Sequence, residues 1–240
     1  MAKMEVTELG KGLWRWTAPH PEWTPEKDKP GGWGQRVGCV TLEVSEGIVL
    51  IDPLAPPERS DDASRFWEAL DRDVARIGKP VTILLGNSYH QRSAPMLLER
   101  YRVKPGARIF APEKSLPRLT CEVAQTFQAG GKLPGNIVAC GVRGLDCPGE
   151  TVFYLPGHRA LVPADALIGI GGGKIRVPPI AWAQNTPEGQ EGYKREFRTS
   201  LRDLTKLDIE VILASHGEPV LKEGRAALAE ALTAPAWGEE

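Results

Sequence analysis

Four times along this chain a short apolar run stops abruptly on a polar stretch able to do chemistry. "IVLI" ends at Asp52, "TILL" opens into "GNSYHQRSAP", "RALVPA" ends at Asp165 and "IEVILAS" ends at His216. Runs of this length are strand-sized, and their unbroken apolar character suits strands covered on both faces. Helix-like stretches lie between several of them. "SDDASRFWEALDRDVARIG" follows the first, with acidic residues in its opening turn where they suit the helix dipole, and "APMLLERYR" follows the second. Alternating strand and helix predicts an α/β or α+β domain. In such domains residues just past the strand ends stand together at one sheet edge, where binding and catalytic groups gather.

Elsewhere the pattern changes. "VGCVTLEVSEGIVLIDPL" reads as a hairpin turning at "SEG", with a deep second strand. "ARIFAP" reads as a strand and "SLPRLTCEVAQTF" as a weaker helical segment. Residues 137–168 carry "NIVACGVRG", "ETVFYLP" and "RALVPADAL", strands separated by turns rather than helices. "LPGHRALV" supplies a tight turn in which His158 is expected to be solvated, because Pro-Gly is turn chemistry. The C-terminal part returns to helix, strand and helix in "YKREFRTSLRDLTKL", "IEVILASHG" and "GRAALAEALTA". "GIGGGKI", residues 169–175, lacks the strand-loop-helix setting of a phosphate loop and reads as a flexible loop. "APHPEWTPEKDKPGGWGQ" is too rich in Pro, Gly and Trp for a helix or central strand, and predicts a long surface loop carrying aromatic side chains.

With 240 residues and 41% hydrophobic content, the chain can bury one full core. No repeat, low-complexity run or linker divides it, so a single domain over 1–240 is expected. The net charge of -1 and the lack of a basic stripe give no electrostatic reason to expect nucleic acid or an anionic membrane as partner. "MAKMEVTELGKG" lacks the apolar core of a signal peptide, and no window reaches the roughly 18 to 20 apolar residues of a membrane span, so a cytoplasmic protein is expected. Cys39, Cys121, Cys140 and Cys147 show no CxxC and read as reduced structural residues rather than zinc ligands. No GxSxG, GxxxxGK[ST] or GxGxxG motif occurs.

The order of these features resembles the metallo-β-lactamase fold. A hairpin ends in "VLIDP", a strand leads into a His-containing turn, a "PG" step follows, then a hairpin ending in "ADAL" and a last strand ending in "SHGEP". The resemblance implies a four-layer αββα sandwich with its site at the sheet edge, and an ancestry among hydrolases of esters, thioesters, amides or phosphodiesters. It also implies where ligands should stand. The family's HxHxDH motif falls on Asn87, Tyr89, Gln91 and Arg92 when counted without a gap, so no strong ligand survives there. A one-residue slip would bring His90 to the second His position, with Ser88, Arg92 and Ser93 at the others; the unslipped register is preferred because "VTILLG" matches the preceding strand. Glu150 in "DCPGETVFYL" stands at the next His, Asp165 at the bridging carboxylate and His216 at the last His.

From this resemblance His90, Arg92, Asp165 and His216 are the candidate catalytic residues. Asp165, His216, Glu150 and His90 are the candidate ligands for at most one zinc or iron ion. Asn87, Tyr89 and Gln91, with Trp23 and Trp33 from the long loop, are candidates for contacting a small-molecule ligand, and His20 could reach inward beside them. Alternatively the two tryptophans pack over the sandwich. Because Arg92 carries a permanent charge on a planar fork that suits a carboxylate, it is expected to pair with Asp165 in a cation's place. Two functions follow. One is a diverged, hydrolase-like enzyme with a degenerate metal site; the other is a non-catalytic module, a pseudoenzyme, that keeps the pocket for a small ligand or partner.

Overall fold

The computed structural model describes residues 4–239; residues 1–3 and 240, which fall within the expected 1–240 domain, lie outside the described residues. A seven-stranded sheet runs in chain order through β1 (Glu5–Gly10), β2 (Leu13–Pro19), β3 (Arg36–Val44), β4 (Gly47–Ile51), β5 (Val81–Leu84), β6 (Ala107–Pro112) and β7 (Gln125–Phe127). Its first four strands are antiparallel, and β4 to β7 are parallel. Parallel neighbours need crossovers. α1 (Asp61–Ile77) links β4 to β5 and α2 (Ala94–Tyr101) links β5 to β6. A second sheet holds β8 (Val138–Gly141), β9 (Thr151–Leu155), β10 (Ala160–Val162) and, after a hairpin of β11 (Ile168–Gly171) and β12 (Lys174–Arg176), β13 (Val211–Ile212). α3 (Pro187–Gly192), α4 (Arg198–Arg202) and α5 (Gly224–Ala231) complete the chain.

Side-chain alternation sorts the strands into layers. Ile48 and Leu50 of β4 and Val81 and Ile83 of β5 face α1 and α2, where they meet Phe66, Leu70, Val74 and Leu97. Their neighbours Val49, Ile51 and Leu84 point the other way, into a core shared with Phe153, Leu155, Ala160 and Val162 of the second sheet. Val152, Tyr154 and Leu161 then face outward onto Phe197, Leu201, Leu228 and Ala231. Two sheets with helices outside each are the expected αββα sandwich. Its driving force is apolar burial, worth about 1.5 to 3 kcal/mol for each fully buried large side chain. α1 is shaped for this: Ala63, Phe66, Leu70 and Val74 lie along one buried stripe, and Gly78, at φ 63°, closes the helix with its N–H on the Val74 carbonyl.

Three local expectations are corrected. "GIGGGKI" is not a loop but the β11–β12 hairpin, turned by Gly171, Gly172 and Gly173, all at positive φ that side chains resist. "SLPRLTCEVAQTF" is not helical throughout; Glu113–Arg118 forms a short tight turn with Pro117 inside it, and Gln125–Phe127 is strand β7. The helix expected at "YKREFRTSLRDLTKL" begins earlier, at α3, whose Thr186 cap accepts from the Gly189 N–H, and is interrupted by a wide turn over Tyr193–Phe197. The Pro156–His158 turn forms as read, with Arg159 left-handed after it. Among the described residues no helix is long and apolar enough to cross a membrane.

Candidate functional site

The four strand ends converge. β4 delivers Asp52, the segment after β5 delivers residues 87–93, the stretch after β10 delivers Asp165, and the chain beyond β13 delivers His216. The backbone bends sharply to present them. Asp52 (φ 50°), Arg92 (φ 37°) and Ala164 (φ 45°) all adopt the left-handed region that non-glycine residues avoid.

His90, 2% exposed, stands at the centre. Its Nδ1 lies 2.9 Å from Asp52 Oδ2 and its Nε2 3.2 Å from Asp165 Oδ1. His216 Nε2 reaches the same Asp165 oxygen at 3.1 Å. Arg92 Nη2 sits 2.9 Å from His90 Nε2, while Nη1 donates to the Asp52 carbonyl at 3.0 Å. The expected Arg92–Asp165 ion pair does not form: Asp165 is met by two imidazoles, and Arg92, turned by its positive φ, reaches His90 and backbone instead. Burial and the Arg92 charge oppose protonation of His90, but Asp165 and Asp52 outweigh them and hold the imidazole at about 9, above its ordinary 6.5. Despite burial, the two imidazoles hold the Asp165 carboxyl well below its usual range. Burial lowers His216.

Asn87, fully buried, makes the second knot. Its Nδ2 donates to Glu150 Oε2 at 2.8 Å and to Asp165 Oδ2 at 2.9 Å. Its Oδ1 accepts from the Tyr89 and His90 N–H groups at 2.8 and 3.1 Å, which only an oxygen can do, so the amide orientation is set by its neighbours. Glu150 Oε1 accepts from the Asp165 N–H at 2.8 Å. Burial, then the Asp165 charge, pushes the Glu150 carboxyl well above the usual range. Cys147, read from sequence as purely structural, brings its Sγ to 3.8 Å from Asp165 Oδ2. Burial and the neighbouring Glu150 and Asp165 push that thiol strongly upward, so it is not an activated nucleophile.

The remaining motif positions serve the walls. Tyr89 is 53% exposed and its hydroxyl accepts from Arg118 at 2.5 Å. Gln91 ties down the neighbouring loop: Oε1 accepts from the Thr120 and Cys121 N–H groups, and Nε2 donates to Thr120 Oγ1 at 2.7 Å. A cavity of about 990 Å³ opens over His90, Arg92, Asp165 and His216. Trp33 lines it, its ring 5.2 Å from that of His216, and His20 meets Trp33 edge-on at 5.0 Å. Trp23 is not among the lining residues; its indole donates to the Trp33 carbonyl and so supports the loop from behind. Sequence reasoning named Asp52 only as a strand end and missed Cys147, Trp182 and Arg118. Trp182 packs edge-on to His216 at 5.8 Å, from a remote loop with no local signal.

Among the described residues two donor groups could be asked to hold a metal: His90, Asp165 and His216, and Cys147, Glu150 and Asp165, each with ligand atoms within 4.8 Å of one another. The second does not fit a cation, because the Asn87 amide already lies between Glu150 and Asp165. The first has suitable donors, but no lone pair is free at His90 Nε2: it carries a proton toward Asp165 or accepts from Arg92, a permanent cation 2.9 Å away.

No protein-family model matches the chain, and no curated protein does. Solved structures match nearly end to end. A metallo-β-lactamase from Pontibacter korlensis is 14% identical, with 96% of this chain and 98% of that one covered at a TM-score of 0.65. A metallo-β-lactamase family protein from Thermus thermophilus is 18% identical over 94% and 80%, at 0.61. The metallo-β-lactamase FIM-1 from Pseudomonas aeruginosa, in its mono-zinc form, is 11% identical over 97% and 96%, at 0.60.

Proposed function

The chain has the metallo-β-lactamase fold, and from that premise we propose that it is a small-ligand-binding protein whose metal site has been rebuilt as a metal-independent polar floor. One observation carries the reading. The groups that would grip ions are engaged with one another, with the Asn87 amide between Glu150 and Asp165 and the His90 ring between Asp52 and Asp165, the Arg92 guanidinium 2.9 Å from its Nε2. A buried carboxylate cluster needs a donor or cation to be tolerated. Here the protein supplies both from its own side chains. The cavity above has the size and mixed lining of a small-molecule site, with apolar walls and a few convergent polar groups. Nucleophilic catalysis has no support in the geometry: Ser88 Oγ has no hydrogen-bond partner, and Cys147 contacts a carboxylate rather than a base.

A second reading, a hydrolase-like enzyme of the ester, thioester or phosphodiester class holding one zinc or iron ion, is favoured by the spacing of His90, Asp165 and His216. It requires the Arg92 guanidinium to leave His90. Metal analysis by mass spectrometry on protein purified without chelators decides between the readings. The binding reading expects far less than one zinc or iron per chain; one ion per chain, lost on Asp165→Ala or His216→Ala, overturns it.

A further inference from the structure

Arg92 stands at the cavity without an acid partner. Among the described residues no carboxylate lies within ion-pair distance of it; its donors meet a backbone carbonyl and an imidazole nitrogen. A guanidinium is shaped for a carboxylate or phosphate, which takes two parallel hydrogen bonds from its fork. Arg92 lines the cavity, and so does Ser88, 7% exposed, whose hydroxyl has no partner in the protein. His216 Nδ1, on the same wall, is equally unpartnered. Arg92 Nε is a third unpartnered atom; buried polar atoms in folded proteins are ordinarily satisfied, so three of them on residues that line one cavity indicate something that satisfies them.

We infer that the cavity takes a ligand with an anionic head, a carboxylate or a phosphate, held by Arg92 and the Ser88 hydroxyl, with a flat apolar body along Trp33 and Trp182. This deepens the metal-independent reading and rests on it. His20 lines the cavity and is held down at about 4 by burial first and then by the Arg92 charge. Of the acids lining the cavity, Asp165 is met by two imidazoles and Asp146 by Arg118 at 3.5 Å, while Glu22 and Glu58 are exposed.

The test is calorimetric titration of the full chain, purified without chelators and with metal content measured on the same sample, using phenyl phosphate, benzoate and uncharged benzamide. One or both anions should bind at a single site, and benzamide roughly tenfold or more weaker, the scale of a lost charged hydrogen bond. Preference for phenyl phosphate or for benzoate identifies the head group. Arg92→Gln should weaken the anion by roughly tenfold or more and Arg92→Lys by less, because the charge remains. Ser88→Ala should weaken it a few-fold, and carries the test if Arg92→Gln does not fold. Equal binding of benzamide, no anion binding, or affinity unchanged in Arg92→Gln and Ser88→Ala overturns the assignment. Anion binding that needs a metal and disappears on chelation overturns the metal-independent reading instead, and the metal measurement tells the two failures apart.

Discussion

Asn87→Asp changes the chemistry at one atom and almost no volume. In the native chain that atom, Nδ2, donates to Glu150 Oε2 at 2.8 Å and Asp165 Oδ2 at 2.9 Å from a fully buried position. The substitution turns the donor into a third carboxylate oxygen facing two others. Two hydrogen bonds to carboxyl groups are lost, each worth about 1.5 to 3 kcal/mol, so the variant should lose about 3 to 6 kcal/mol. For a chain of this size that lowers the unfolding midpoint by roughly 10 °C. Burial and like charge raise the new carboxyl above its unfolded value, so its ionisation opposes folding. The deficit is therefore largest at neutral and alkaline pH and shrinks as pH falls through the raised value. Asn87→Ala removes the donor without adding a charge and should lack this extra pH dependence. The new carboxylate also gives the cluster a vacancy for a cation, so zinc should restore part of the stability of Asn87→Asp and none in the native chain. Thermal unfolding at pH 5 and pH 8, with and without zinc, reads all of this. If Asn87→Asp matches the native protein at pH 8, the amide is not what holds Glu150 and Asp165 together.

Other consequences follow from the same geometry. His90 is held at about 9 against an ordinary 6.5, so its contribution to stability is complete below about 6.5 and is lost as pH rises through about 9. A loss on the order of 3 kcal/mol across that window is expected in denaturant titrations, absent in His90→Gln. Gln91→Ala should strip hydrogen-exchange protection from the Thr120 and Cys121 amides, which donate to Gln91 Oε1. Global stability should move by only about 1 kcal/mol, because the site is exposed. Phe197→Ala empties a fully buried position stacked on Tyr193, at a cost of about 3 to 5 kcal/mol by chemical denaturation.

The strand–helix order was legible in local patterns, the unbroken apolar run Ile48–Ile51 already implying a strand covered on both faces, and the sandwich in the resemblance that this order carries. The strand ends were legible for the same reason, and all four meet. What could not be read is where turns send side chains. Arg92 was expected on Asp165, but its φ of 37° is a conformation that sequence does not signal in a non-glycine residue, and it directs the guanidinium to His90. Asn87 reads from sequence as no strong metal ligand and as a contact for a small-molecule ligand; it is instead fully buried, outside the cavity lining, and donates between two carboxyl groups, which is visible only once Glu150 and Asp165 are brought together across the fold. Trp182 and Arg118 reach the cavity from distant loops, and long-range packing of that kind leaves no local pattern.

The central claim is that protein groups occupy the places where metal ions would sit. Anomalous diffraction at the zinc absorption edge, from crystals soaked in zinc, tests it most directly. The account predicts no peak at the site, with the Asn87 amide still between Glu150 and Asp165 and Arg92 still on His90. A peak within bonding distance of His90, Asp165 and His216, with the guanidinium displaced, would contradict it.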